Sequence, residues 1–326
     1  MSYVFLYAGQ GSQKAGMGKD FYGMFPEYRA LIGRFSGIFT EIEVLRRPGQ
    51  KKPDLKWLMH EGTEDMLQET RFTQPCLTAF QMGVTELLKK EGIVPDAACG
   101  LSLGEYSALA AAKVFSPEQA FRVTSFRGEA MQAAAEGLSC SMIAVIGAEK
   151  MLIEEACRIE REFGHGFAAP VNYNCPGQVV ICGEEEAVSA AGERILEAGK
   201  ARLIRLKTGG PFHTRFMEPA GENLKVFLEK PENRPGTPVI PVTSNVTGGF
   251  YQPEDDITEL LVRQVSSSVM LEQNLRNLLE AGYRDFLEIG PGNTMQGFLK
   301  KTARAMGIDV NCAGISAAED LRAVVS

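Results

Sequence analysis

Strands that alternate with helices along most of the chain predict an α/β fold with a parallel sheet. A βαββαβ run in the middle predicts a second, smaller unit of the ferredoxin-like kind. The length of 326 residues, more than one core usually fills, fits that division. The boundaries fall where the run begins and ends, so residues 1–138 and 207–326 form the large unit and 139–206 the small one.

The elements follow in order. Tyr3–Ala8 is a short apolar run ended by Gly9-Gln10-Gly11-Ser12-Gln13, a first strand and a Gly-rich loop. No basic stretch precedes it, so it reads as a strand and not as a secretory leader. Residues 19–47 are helical in parts, broken near Pro26 and ended by Pro48-Gly49. Thr73-Gln74-Pro75 opens a helix through Lys90, with proline in the first turn, where its missing N–H costs nothing. The apolar run over 92–99 is the next strand, followed by a helix over 105–112 and another over 117–135 with Ser116 as its N-cap. The smaller unit then reads as strands at 142–146, 166–173, 179–182 and 202–206, with helices at 149–162 and 184–198. Beyond it, Val239–Val242 and Asp285–Ile289 have the texture of buried strands. Helices fall at 213–229, 255–264, 270–281 and 294–306.

Composition narrows the function classes. Net charge of −7 argues against nucleic acid as a partner, because phosphate binding needs a basic surface. Two local basic clusters, Arg46-Arg47 with Lys51-Lys52 and Lys300-Lys301 with Arg304, are solvated faces or docking points for an acidic partner. The seven cysteines form no CxxC pair and several lie in apolar runs, the pattern of free thiols in a reducing, cytoplasmic setting. No run of about 18 uncharged apolar residues is present, so no membrane span is expected.

The chemistry centres on Gly100-Leu101-Ser102-Leu103-Gly104. Strand, Gly-x-Ser-x-Gly, helix is the setting of a nucleophile elbow, in which the hydroxyl stands exposed where a helix begins. There the free N–H of the next residue and the helix dipole face any oxyanion that forms. The bland alternative is a serine in an ordinary Gly-rich turn. A serine also needs a base, and the chain has three histidines. His60 sits at a helix end and His165 in a polar turn, while His213 stands where a strand gives way to a helix, the edge at which such folds place chemistry. The opening loop is not a dinucleotide fingerprint, since Lys14 stands where the third glycine belongs.

Seven blocks in one order carry a resemblance. They are Gly9–Gln13, Gly100–Tyr106, Arg127-Gly128 with Met131-Gln132, Asn172–Gln178, Phe212-His213, Ser244–Thr247 and Glu288–Gly292. Together they resemble the malonyl-CoA:acyl carrier protein transacylase family, which includes trans-acting polyketide synthase acyltransferases. The resemblance implies an α/β-hydrolase-like core with a ferredoxin-like subdomain. It also implies malonyl transfer from malonyl-CoA to the phosphopantetheine thiol of an acyl carrier protein, with no cofactor and with the monomer as the commoner form.

Carried over by position, Ser102 is the nucleophile and His213 its base, oriented by a backbone carbonyl from Gln264. The resemblance assigns the oxyanion hole to the N–H groups of Gln10 and Leu103, the acyl carboxylate to Arg127, and the pocket lining to Gln74, Asn172 and Phe212. The family's usual His before the nucleophile is Leu101 here, which bears on selectivity and not on the base. Gly290-Pro291-Gly292 reads as a structural turn, and Asn245 as a structural residue whose side chain caps or ties loops. Two rival readings remain: a hydrolase of the same fold that clears acyl groups from carriers, and a non-catalytic synthase module.

Overall fold

The computed structural model describes residues 3–42, 53–207 and 210–325. Two sheets organise it. The first is parallel and has the order β2-β1-β7-β8, with β1 Tyr3–Tyr7, β2 Pro95–Gly100, β7 Asp285–Ile289 and β8 Asn311–Ile315. The second is antiparallel, in the order β4-β5-β3-β6. Its strands are β3 Cys140–Ile146, β4 Ala168–Cys175, β5 Gln178–Glu184 and β6 Arg202–Arg205. With helices Lys150–Phe163 and Glu185–Ala198 between its strands, this sheet has the ferredoxin-like βαββαβ arrangement.

β1 lies between β2 and β7, and Val4, Phe5, Leu6 and Tyr7 are all fully buried. A central parallel strand is covered on both faces, which is why its sequence is continuously apolar. The antiparallel sheet packs one face on its two helices, through Val145, Ile181, Ile153 and Ile195, and its inner strands turn Met142, Ala144, Val180 and Cys182 of the other face into the main core. Helices Thr70–Lys90 and Pro117–Ala135 pack on each other beside the parallel sheet. Helix Pro117–Ala135 starts with a full capping box between Ser116 and Gln119.

Two expectations need correction, and two elements were not expected. The helix expected to open at Thr73 starts at Thr70, so Pro75 lies inside it and not in its first turn. The reason is tertiary: Gln132 of the neighbouring helix accepts from the Thr70 N–H at 2.9 Å and serves as a cap from outside the local sequence. Val239–Val242 forms no ladder strand and pairs with the edge of β2 only through an Ala98–Val242 bridge. Pro241 has no N–H to give to a ladder, so pairing cannot propagate. The edge strand β8, alternately exposed, and the helix Ala318–Val325 carried too little apolar periodicity to be expected from sequence. No helix among the described residues is long and apolar enough to cross a membrane.

Candidate active site

β2 ends at Gly100 and a helix begins at Leu103, leaving two residues to reverse the chain. Ser102 takes φ 52° and ψ −100°, a conformation that costs a non-glycine residue about 1–3 kcal/mol. The turn tolerates no added bulk. A Cβ on Gly100 would lie 2.0 Å from the carbonyl carbon of Gly104, and one on Gly104 would lie 2.2 Å from the carbonyl oxygen of Tyr7. Asn245 ties the turn: its Oδ1 accepts from the Ser102 N–H at 2.6 Å, and its Nδ2 donates to the Gly100 carbonyl at 2.8 Å.

The hydroxyl of Ser102 meets the imidazole of His213 across 111 positions of sequence, with Oγ 2.8 Å from Nε2. On the far side of the ring, Nδ1 lies 2.8 Å from the main-chain oxygen of Gln264. Gln264 closes helix Ile257–Gln264, and the last carbonyls of a helix have no acceptor duty within it, so this one is available to the ring. A carbonyl only accepts, which puts the proton on Nδ1 and the lone pair of Nε2 toward the serine. Burial, and after it the charge of Arg127, pushes the imidazole down from its ordinary 6.5 to about 4. The ring is therefore neutral near pH 7, as a base must be.

Arg127 comes from helix Pro117–Ala135 and is almost wholly buried. Its Nη2 donates to Ser102 Oγ at 3.2 Å and to Gln264 Oε1 at 3.1 Å, and its guanidinium carbon lies 5.2 Å from the centre of the Tyr106 ring. Its Nε has no partner among the described residues. Burial works against its charge, with Tyr106 and Glu105 opposing.

Behind these groups stands a carboxyl that sequence reasoning passed over. Glu105, fully buried, accepts at Oε1 from Tyr251 Oη at 2.6 Å and from the Asn245 N–H at 3.2 Å. At Oε2 it accepts from Gln264 Nε2 at 2.6 Å, and that same nitrogen donates to the Ser102 carbonyl at 2.9 Å. Burial raises the Glu105 carboxyl to about 7, against the downward pull of these three donors. Its only sequence signal was a charged residue in the first turn of a helix otherwise free of charge.

The serine opens into a cleft of about 540 Å³. Gln10, Gln74, Arg127, Asn172, Phe212 and His213 all line it, so the structure brings these sequence-selected residues together. Gln10 lies after β1, and its side chain donates to Thr70 Oγ1 at 3.1 Å. Leu103 is buried as the first residue of its helix, where an N–H has no partner within the helix. Gln74 is fully buried, with its Oε1 unpartnered among the described residues. Asn174, two residues beyond Asn172 on β4, also reaches the cleft, as do Leu101, Lys14 and Lys207. Sequence reading missed those two lysines and Asn174. Lys300, Lys301 and Arg304 lie on helix Thr294–Met306, whereas Arg46, Arg47, Lys51 and Lys52 lie outside the described residues. Among the described residues no group of three or more His, Cys, Asp or Glu side chains is placed to hold a metal ion.

The model of the acyl transferase domain family matches residues 4–321. The chain is 36% identical over 303 residues to the malonyl CoA-acyl carrier protein transacylase of Bacillus subtilis, covering 93% of this chain and 91% of that one. Among solved structures, that of the Streptococcus pneumoniae MCAT is similar with a TM-score of 0.88 and 38% identity, over 99% of each chain. A malonyl-transacylase solved in complex with a type II polyketide synthase acyl-carrier protein gives a TM-score of 0.89 at 33% identity, over 100% of this chain and 99% of that one.

Proposed function

The chain belongs to the acyl transferase domain family, and from that membership and the geometry of the cleft we propose that it moves malonyl groups from malonyl-CoA to an acyl carrier protein. One observation carries the reading: a single hydroxyl, Ser102 Oγ, sits 2.8 Å from a neutral imidazole and 3.2 Å from a buried guanidinium. A hydrolase of neutral acyl groups has no use for a buried cation beside its nucleophile. An enzyme for acyl groups that end in a carboxylate does.

Malonyl-CoA enters with its carboxylate on Arg127, whose planar fork suits a carboxylate better than an ammonium would. Gln74 and Asn172 offer amides to the substrate, and Phe212 walls the pocket beside the base. His213 takes the proton of Ser102 as Oγ attacks the thioester carbonyl. The N–H groups of Leu103 and Gln10 receive the oxyanion, each such donor contributing about 2.7–4 kcal/mol. His213 then returns the proton to the departing CoA sulfur, leaving malonyl on Ser102. The phosphopantetheine thiol of the carrier attacks this ester by the reverse sequence. Thioester becomes ester and then thioester again, so the exchange balances without redox chemistry and serves fatty acid or polyketide synthesis alike. All the groups named come from one chain, so the monomer is the working unit of the proposal.

The test is intact-mass and peptide analysis after brief mixing with a panel of acyl-CoAs, followed by addition of a holo carrier protein. The expected result is a malonyl adduct on Ser102 that moves to the carrier. A malonyl adduct lost to water and never passed to the thiol would identify a hydrolase, and no adduct at all would identify a non-catalytic module.

A further inference from the structure

One buried cation in the cleft forms no ion pair among the described residues. Arg127 is almost wholly buried, and its Nη2 is shared between Ser102 Oγ and the neutral amide oxygen of Gln264 while its Nε is unpartnered among the described residues. A buried charge in that state is costly until a partner arrives. Glu105 is the nearby carboxyl, yet its oxygens already accept from Tyr251, Asn245 and Gln264. The base is equally short of negative charge. Where a serine hydrolase sets an aspartate behind its histidine, His213 has the neutral carbonyl of Gln264. The groups that bear on its ionisation are Arg127 from helix Pro117–Ala135 and the main chain of Gln264 and Ser267, and none of them is an anion. Acylation must therefore create an imidazolium beside a guanidinium that no ion pair neutralises, and like charges oppose that step.

We propose that the carboxylate of the acyl group switches on the base: Arg127 restrains Ser102 and His213 in the free enzyme, and a carboxylate that pairs with Arg127 lifts the restraint. This rests on the malonyl-transfer reading and adds to it. In that reading Arg127 is a handle, whereas here the handle also sets the reactivity of its neighbours. Chemical balance is unchanged. The Ser102 O–H bond breaks and its proton goes to His213 Nε2, the Oγ–C bond forms, the C–S bond breaks and sulfur takes the proton. The acyl carboxylate is neither consumed nor made, so it acts again when the carrier thiol gives up its proton. An acetyl group, lacking it, is slow in kcat as well as weak in KM.

The test compares two covalent states of the whole protein, malonyl-Ser102 and acetyl-Ser102, by NMR titration of the histidine rings at low temperature. His60 and His165 are assigned with H60Q and H165Q. The proposal expects the His213 midpoint to lie about one pH unit higher in the malonyl-enzyme, the size of a nearby-charge effect. Equal midpoints in the two acyl-enzymes overturn it while leaving malonyl transfer intact, and failure of the malonyl adduct to form defeats both. A second measurement uses phenylmethylsulfonyl fluoride, an uncharged serine reagent that needs no handle. R127Q should be inactivated about three- to tenfold faster than the unmodified protein, as a stronger base implies. An unchanged or slower rate in folded R127Q overturns the proposal; if R127Q fails to fold, the titration decides alone.

Discussion

Asn245 grips the turn of Ser102 from both ends, taking the serine N–H at 2.6 Å and giving its amide to Gly100 at 2.8 Å. The serine's backbone lies in a strained region, and these two bonds help to hold it there, together with the Gln264 amide on the Ser102 carbonyl. Asn245→Ala should lower kcat by about 10- to 100-fold with KM changed little, because substrate still docks but the nucleophile is misplaced. Stability should fall by about 1–3 kcal/mol, the cost of unmade buried hydrogen bonds. Steady-state kinetics and thermal melting check both, and a KM effect alone would refute the assignment.

Gly104→Ala should fail by sterics and not by chemistry. Its added methyl would meet the Tyr7 carbonyl at 2.2 Å, which is backbone and cannot turn aside. Overpacking of this kind costs about 3 kcal/mol or more, and the lowered melting temperature should appear together with lost acylation. A variant that melts like the parent would show that the strand and the helix can separate freely.

The pH dependence follows from the imidazole. An ordinary histidine titrates near 6.5, and His213 is held down to about 4. The acid limb of kcat/KM for the free enzyme should therefore fall near pH 4, activity being lost as the pH drops through that value. The contribution to folding has the same sign: the native state resists protonation, so stability from this group is whole above 6.5 and is lost as the pH falls from 6.5 through about 4. A limb near 6.5 would show that the ring is less enclosed than the structure places it.

Glu105→Gln keeps the shape of the side chain and spoils its bonding. Both carboxyl oxygens accept from groups that cannot turn round, Oε1 from the Asn245 N–H and Oε2 from Gln264 Nε2. Either orientation of the new amide sets its NH2 against one of those donors. We expect a loss of about 1–3 kcal/mol in stability and roughly tenfold in kcat, measured by chemical denaturation and single-turnover acylation. Unchanged kcat would mean that Gln264 holds its place without the carboxyl.

Much of the fold was legible because local signals agreed with the tertiary outcome. Helix Pro117–Ala135 announces itself through Ser116, Pro117 and Gln119, and helix Thr294–Met306 begins and ends where its apolar period does. Ser102 and His213 were legible for different reasons, the one from a rare backbone geometry that glycines betray, the other because the chain has so few imidazoles to choose from. What stayed hidden was supplied from a distance. Gln132 caps a helix 62 positions away. Asn245 read as a structural asparagine that ties a loop, but which loop it ties was decided by the fold, which set it against the elbow. Glu105 drew no reading of its own, because nothing local tells a buried acceptor of three donors from an exposed carboxylate.

The seam between the two sheets has a mechanical consequence. Val269 exchanges main-chain hydrogen bonds with β4, giving to Val171 at 2.8 Å and receiving from Tyr173 at 2.9 Å. Only a few residues earlier, the carbonyls of Gln264 and Val265 hold the ring and the N–H of His213. That short segment is a lever with the antiparallel sheet at one arm and the imidazole at the other. Any displacement of that sheet would therefore reach the imidazole through main-chain hydrogen bonds alone.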